Sequence, residues 1–190
     1  MLQYVTTNPG KLREARAYLG ENSVAGYDYD YTEIQSPSME EIAVHGAREA
    51  AREVGGPVIV DDAGLFISAL DGFPGPYSSY IENTLGIDRV WRLASELDDP
   101  AAEFRCVLAY CAGETATEAN AIGADERDVT CFTGVVPGRL VAPRGTGGFG
   151  YDPIFEHDGR TFAEMTSEEK NAVSHRGRAL EQFVEWVETQ

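Results

Sequence analysis

The chain has 190 residues, 43% of them hydrophobic, with 32 Asp plus Glu against 15 Lys plus Arg and a formal net charge of −17. That length and apolar content supply one packed core, and 25% charged with 10% aromatic residues exclude a disordered polymer. The acidity excludes bare nucleic acid or anionic lipid as the main partner; no run reaches the roughly 18 apolar residues that cross a bilayer, and Met1-Leu2-Gln3-Tyr4-Val5 carries no basic leader, so a cytoplasmic protein is expected.

Leu2 to Thr6 is a short β-prone run, after which Asn8-Pro9 opens a helix through Leu19 with Gly20 as its stop. Tyr27 to Tyr31 alternates aromatic and acidic residues, the pattern of a half-exposed strand. Ser38 stands three residues before Glu41, the capping-box spacing, and predicts a helix through Val54 that Gly55-Gly56 ends. Pro57 to Val60 reads as a strand running into Asp61-Asp62, and Leu65 to Leu70 as a second one. Gly72 to Pro76 is a turn. Ile87 to Leu97 is predicted helical, with Val90, Leu93, Ala94 and Leu97 on one face.

Phe104 to Cys111 and Val129 to Val136 read as strands, and Gly145 to Gly150 as a glycine-rich loop. Ser167 to Ala172 makes a short helix. Ser174 caps the last one, whose Leu180, Phe183, Val184 and Val187 line one face. No repeat or linker interrupts this mixture, so residues 1–190 are expected to form a single α/β domain.

Cys106, Cys111 and Cys131 are odd in number and lack C-x-x-C spacing, so they read as reduced core residues. Among the cations, lysine occurs only at Lys11 and Lys170; the rest are Arg. An acidic, Lys-poor composition is expected of a salt-rich cytosol, where self-repulsion is screened. Arg127 serves as a reference surface cation.

Lys11 falls in the first helical turn, the wrong end for a cation because the helix dipole already places positive charge there. With the small polar loop Thr6-Thr7-Asn8-Pro9-Gly10 before it, the arrangement is that of a phosphate cradle; the alternative is a solvated lysine. Glu33, Asp61 and Asp62 suit Mg²⁺, which takes one or two carboxylates plus phosphate oxygens. In a regular strand Asp61 and Asp62 point to opposite faces, and the plainer alternative is a solvated strand end.

Gly145 to Gly150 matches G-x-G-x-x-G, but Pro153 opposes the helix that a dinucleotide site requires. The glycines instead let the backbone pass close to a flat ligand on which Phe149 stacks. Lys170, His175 and Arg176 gather donors around a helix start. His45 and His157 have no such company and read as surface residues.

The segments TTNPGK, PVIVDDAGL, FPGPYS, GTGGFGYDPIF and TFAEMTSEEKNAVSHRGRAL, in order from Leu2 to Phe183, resemble the inosine triphosphate pyrophosphatase family, in its archaeal type. The resemblance implies an elongated mixed β-sheet with flanking helices, two lobes around a nucleotide cleft, and a homodimer. It implies Mg²⁺-dependent hydrolysis of ITP, dITP and XTP to the monophosphate and pyrophosphate, which cleanses the nucleotide pool. By the same similarity Asp62 activates water and shares the metal with Glu33. Thr6, Thr7, Asn8, Pro9, Gly10, Lys11 and Lys170 bind phosphates, and Phe149, Gly150, Tyr151, Asp152, His175 and Arg176 hold the base.

Two positions depart from the family pattern. Ala63, in the substrate-binding set, stands where many members have Ser. Gly46 stands where bacterial and eukaryotic members carry a phosphate-binding Lys, with Arg48 nearby to substitute. The rival readings are a pyrophosphatase for other modified nucleotides and a nucleotide-binding module without hydrolysis. Retention of Glu33, Asp62 and both lysines favours hydrolysis.

Overall fold

The N-terminal run Leu2–Val5 forms β1, with Tyr4 and Val5 buried. The structure, a computed structural model, describes residues 1–113 and 129–190, so the reference cation Arg127 lies outside the described residues. Helix α1 (Pro9–Leu19) leads to β2 (Val24–Tyr27), which pairs parallel to β1. Helix α2 (Met39–Val54) leads to β3 (Val58–Ile67), parallel to β1 on its other side. Parallel neighbours need such crossovers, and the helices supply them.

Helices α3 (Ser78–Leu85) and α4 (Ile87–Ser95) precede β4 (Ala101–Cys111) and β5 (Val129–Leu140). The short strands β6 (Phe155–His157) and β7 (Arg160–Thr161) follow, then α5 (Ser167–Val173) and α6 (His175–Glu188). The sheet order is β2-β1-β3-β4-β5-β6-β7, with β5-β6 and β6-β7 antiparallel, so the sheet is mixed and the α/β class holds.

The chain divides into two compact units, Met1–Asp62 with Val107–Thr133 and Ala179–Gln190, and Ala63–Cys106 with Gly134–Arg178. The boundaries fall inside β3, β4, β5 and α6. In the first unit the small residues Ala43, Ala47, Ala50 and Ala51 make the buried face of α2, and Val58, Ile59 and Val60 are fully buried. In the second, Leu65, Ile67, Val90, Phe104, Phe155 and Phe162 form the core, with the Phe104 ring 4.5 Å from Phe155 and 5.8 Å from Phe162. None of the helices among the described residues is long and apolar enough to cross a membrane.

Several local expectations change. Only Tyr27 of the Tyr27–Tyr31 run lies in a strand; Tyr29 and Tyr31 turn their side chains to α2, so the alternation reflects docking on a helix. The two strands expected around Asp61-Asp62 are one. Gly64 continues β3 because its missing Cβ, which would stand 2.3 Å from the Gly75 carbonyl oxygen, lets the following turn pack on the strand. Helix α3 has no separate signal in the FPGPYS neighbourhood. Leu93 and Val187 are 45% and 49% exposed, and Trp186 instead joins Phe132, Phe183 and Tyr110.

At α2 the Ser38 hydroxyl accepts from Glu41 N–H, but the Glu41 carboxylate accepts from Ser36 Oγ at 2.6 Å, leaving half a capping box. Cys106 and Cys111 are buried thiols; Cys131 is half-buried, its thiol pushed up to about 11 by burial and then by Glu40. His157 is not a surface residue, since its side chain is 14% exposed and Nδ1 lies 2.8 Å from Pro137 O. His45 is half-buried on α2, with its Nδ1 out of contact with water.

Candidate active site

Residues 6–11 fold as a helix entry that satisfies itself. Thr6 Oγ1 accepts from Asn8 N–H at 3.1 Å, and Asn8 Oδ1 accepts from Gly10 N–H at 2.8 Å and Lys11 N–H at 3.4 Å. Pro9, at the first helical position, lacks an N–H and needs no partner there. Thr7 is exposed beside this cap. Lys11, misplaced by helix-dipole reasoning, has a local cause: its Nζ lies 2.9 Å from Asp61 Oδ1 and 3.2 Å from the Asp61 carbonyl.

The two neighbouring carboxylates of β3 differ. Asp61 is buried, and Oδ1 also accepts the Tyr4 hydroxyl at 2.5 Å. Asp62, one residue on and facing oppositely by the period of the strand, is half-buried. Glu33 is exposed on the irregular segment before α2. Tyr31 on the same segment is drawn into this set: burial first, then Asp61, Glu33, Asp62 and Asp30, raise its phenol far above its ordinary value. Among the described residues no three His, Cys, Asp or Glu side chains converge as a closed metal cage. Two carboxylates suit a hard cation whose remaining ligands are water and phosphate.

In the second unit the glycine-rich loop is built around Asp152. Its Oδ2 accepts from Phe149 N–H at 2.7 Å and from Lys170 Nζ at 2.6 Å. Gly148 at φ 71° has no Cβ, which would otherwise fall 2.0 Å from that same oxygen. Phe149 is 44% exposed, and Lys170 Nζ lies 4.3 Å from its ring centroid. The ammonium thus braces a platform whose outer face is open. This is a cation–π arrangement with the charge already paired.

Tyr151 is buried, donates its hydroxyl to Ser78 O at 2.8 Å, and has its phenol raised by burial and then by Glu82. Gly150, at φ 61°, lies next to Glu82, whose carboxyl is raised by burial and then by Asp152. His175 is buried with its ring stacked on Phe104 at 4.8 Å, and Arg176 is 2% exposed. Ala63 is half-buried next to Asp62 in β3.

The structure therefore gathers Lys11, Asp61 and Tyr4 in one unit, where Tyr31 also packs on Gly46 of α2. It gathers Phe149, Gly150, Tyr151, Asp152 and Lys170 in the other. Tyr4, Tyr31 and Glu82 carried no sequence signal, because nothing in spacing shows which buried phenol or carboxyl meets which.

The model of the Ham1 family matches residues 2–186, and the chain belongs to that family. It is 46% identical to a dITP/XTP pyrophosphatase of Thermococcus kodakarensis, over 98% of this chain and 96% of the relative. It is 40% identical to an inosine triphosphate pyrophosphatase of Aspergillus fumigatus, over 98% and 94%. A HAM1 protein from Coxiella burnetii superposes with a TM-score of 0.83 at 33% identity, over 100% of both chains.

Proposed function

We infer that this chain is a nucleoside triphosphate pyrophosphohydrolase that clears purine nucleotides with deaminated bases, dITP, ITP and XTP, from the nucleotide pool. The observation that carries the hydrolytic reading is the pair of adjacent carboxylates on β3, where Asp61 is buried and bound by Tyr4 and Lys11 while Asp62 is half-buried. The reading assigns metal and water to Asp62 with Glu33. Bound Mg²⁺ at Glu33 and Asp62 would neutralise polyphosphate charge and acidify the water it holds.

In this reading Asp62 accepts the proton of the attacking water. Water adds across the phosphoanhydride bond between the α and β phosphates, so triphosphate plus water yields monophosphate plus pyrophosphate. Thr6, Thr7, Asn8, Pro9, Gly10 and Lys11, with Ala63 and Lys170, receive the phosphates, and Lys170 also braces Asp152 and Phe149. The Phe149 ring stacks on the base, and Gly150, Tyr151, Asp152, His175 and Arg176 complete its pocket. Hypoxanthine and xanthine present O6 where adenine presents an amino donor. A donor aimed at O6 is left unpaired by adenine, at a cost of about 1–3 kcal/mol.

The same reading takes the protein as a cytoplasmic homodimer of a salt-rich cell. Pyrophosphate release from dITP, ITP, XTP, GTP and ATP, with Mg²⁺ at high KCl, tests it. Release concentrated on the first three is expected; equal release from all five, or none, overturns it.

A further inference from the structure

Gly46 occupies the middle of α2, where glycine costs about 1 kcal/mol relative to alanine and its backbone needs no left-handed conformation. Its cause is steric. A Cβ there would stand 2.5 Å from Cε2, 2.8 Å from Cδ2 and 3.2 Å from Cζ of Tyr31. The Tyr31 ring lies flush on bare helix backbone.

One turn along the same helix, Glu49 Oε1 accepts from the Tyr29 hydroxyl at 3.0 Å, from Thr32 N–H at 3.2 Å and from Thr32 Oγ1 at 3.4 Å. Burial works to raise the Glu49 carboxyl, but these bonds, that of Thr32 N–H foremost, bring it below its ordinary value. Tyr29, Tyr31 and Thr32 thus pin to α2 a segment with no helix or strand of its own, and Glu33 is its next residue.

We propose that the Tyr31–Gly46 contact, with the Glu49 clamp one turn away, is a positioning device that docks the segment on α2 and so holds Glu33, the next residue after Thr32, in place. The proposal rests on the assignment of Glu33 and Asp62 as metal ligands. Partners that orient ligating carboxylates in this way are worth about 10–100-fold in metal affinity. Tyr31 is a positioning residue and takes no proton from substrate.

The test is Mn²⁺ binding to nucleotide-free protein, followed by water-proton relaxation, for wild type, Tyr31→Phe, Tyr31→Ala, Gly46→Ala and the Gly46→Ala/Tyr31→Ala double variant, with thermal unfolding of each. Tyr31→Ala, which takes the ring off Gly46, is expected to weaken Mn²⁺ binding about tenfold, while Tyr31→Phe, which keeps the ring there, should bind Mn²⁺ as the wild type does. Gly46→Ala should weaken binding in the wild-type background and have no further effect once Tyr31 is alanine, because the added methyl acts only by displacing the ring.

Wild-type Mn²⁺ binding by Tyr31→Ala, or the same loss in Tyr31→Phe as in Tyr31→Ala, would overturn the proposal. An equal effect of Gly46→Ala in both backgrounds, or no Mn²⁺ binding by the wild type, would do the same. Failure of nucleotide hydrolysis would instead strike the functional reading, and the binding series would still judge this one.

Discussion

Asp61 and Asp62 are chemically identical and one residue apart, yet burial and partners separate them. Asn at position 62 keeps the shape and cannot accept a proton, so Asp62→Asn should lower kcat for dITP at least about a hundredfold with little change in unfolding midpoint. Asp61→Asn should reverse the pattern. It strips the charge that holds Lys11 and Tyr4, and a stability loss of about 1–3 kcal/mol is expected in denaturant titrations. If both variants lose the same property to the same extent, the division between them is wrong. Lys170 gives a second contrast. Its removal takes the Lys170 ammonium from the Asp152 carboxylate, which is 3% exposed, so Lys170→Ala should cost about 1–3 kcal/mol. Arg92→Ala, at an exposed position of α4, should stay within about 0.5 kcal/mol.

At the scale of elements, the parts legible in the sequence were those written in local chemistry. Helix α1 runs from Pro9 to Leu19 between an Asn8 cap and Gly20 because capping and left-handed backbone are decided by residues next to each other in the chain. The Tyr27–Tyr31 run misled because a period of two arises equally from tyrosines docking on a helix. The antiparallel pair β5-β6 shows what spacing never reveals. Arg139 faces Glu156 in register, its Nε 2.6 Å away, and Arg144 adds a contact at 2.5 Å. The hydrogen bond from Arg139 foremost, then that from Arg144 working against burial, holds the Glu156 carboxyl below its usual 4.5. The folded state therefore binds that proton less readily than the unfolded chain. The resulting stabilisation is present above about pH 4.5 and fades as pH falls through the lower folded value. Unfolding midpoints measured across pH should drop less steeply on the acid side in Glu156→Gln than in wild type, from a lower plateau at neutral pH. Parallel curves would refute that account.

For the whole molecule, a net charge of −17 sets a repulsion that folding must overcome, against a net stability of typically about 5–15 kcal/mol. The Debye length falls from about 30 Å at 0.01 M salt to about 3 Å at 1 M. Raising KCl from about 0.05 M to about 2 M should therefore lift the unfolding midpoint steeply at first and then level off as screening saturates. A flat or falling midpoint would leave the acidity without a physical account. The family resemblance spanned the chain, so the α/β class was legible, while the placement of the unit boundaries inside β3, β4, β5 and α6 was not. Such boundaries interrupt no linker and leave no compositional trace.

Both lysines lie in ion pairs, Lys11 with a side chain 22% exposed and Lys170 with one 8% exposed. Every other basic side chain except histidine is a guanidinium, so the folded surface offers amine-acylating reagents almost no ε-amino target. Acylation of Lys170 requires the Asp152 pair to open, and its rate becomes a reporter of how often the Phe149 platform comes apart.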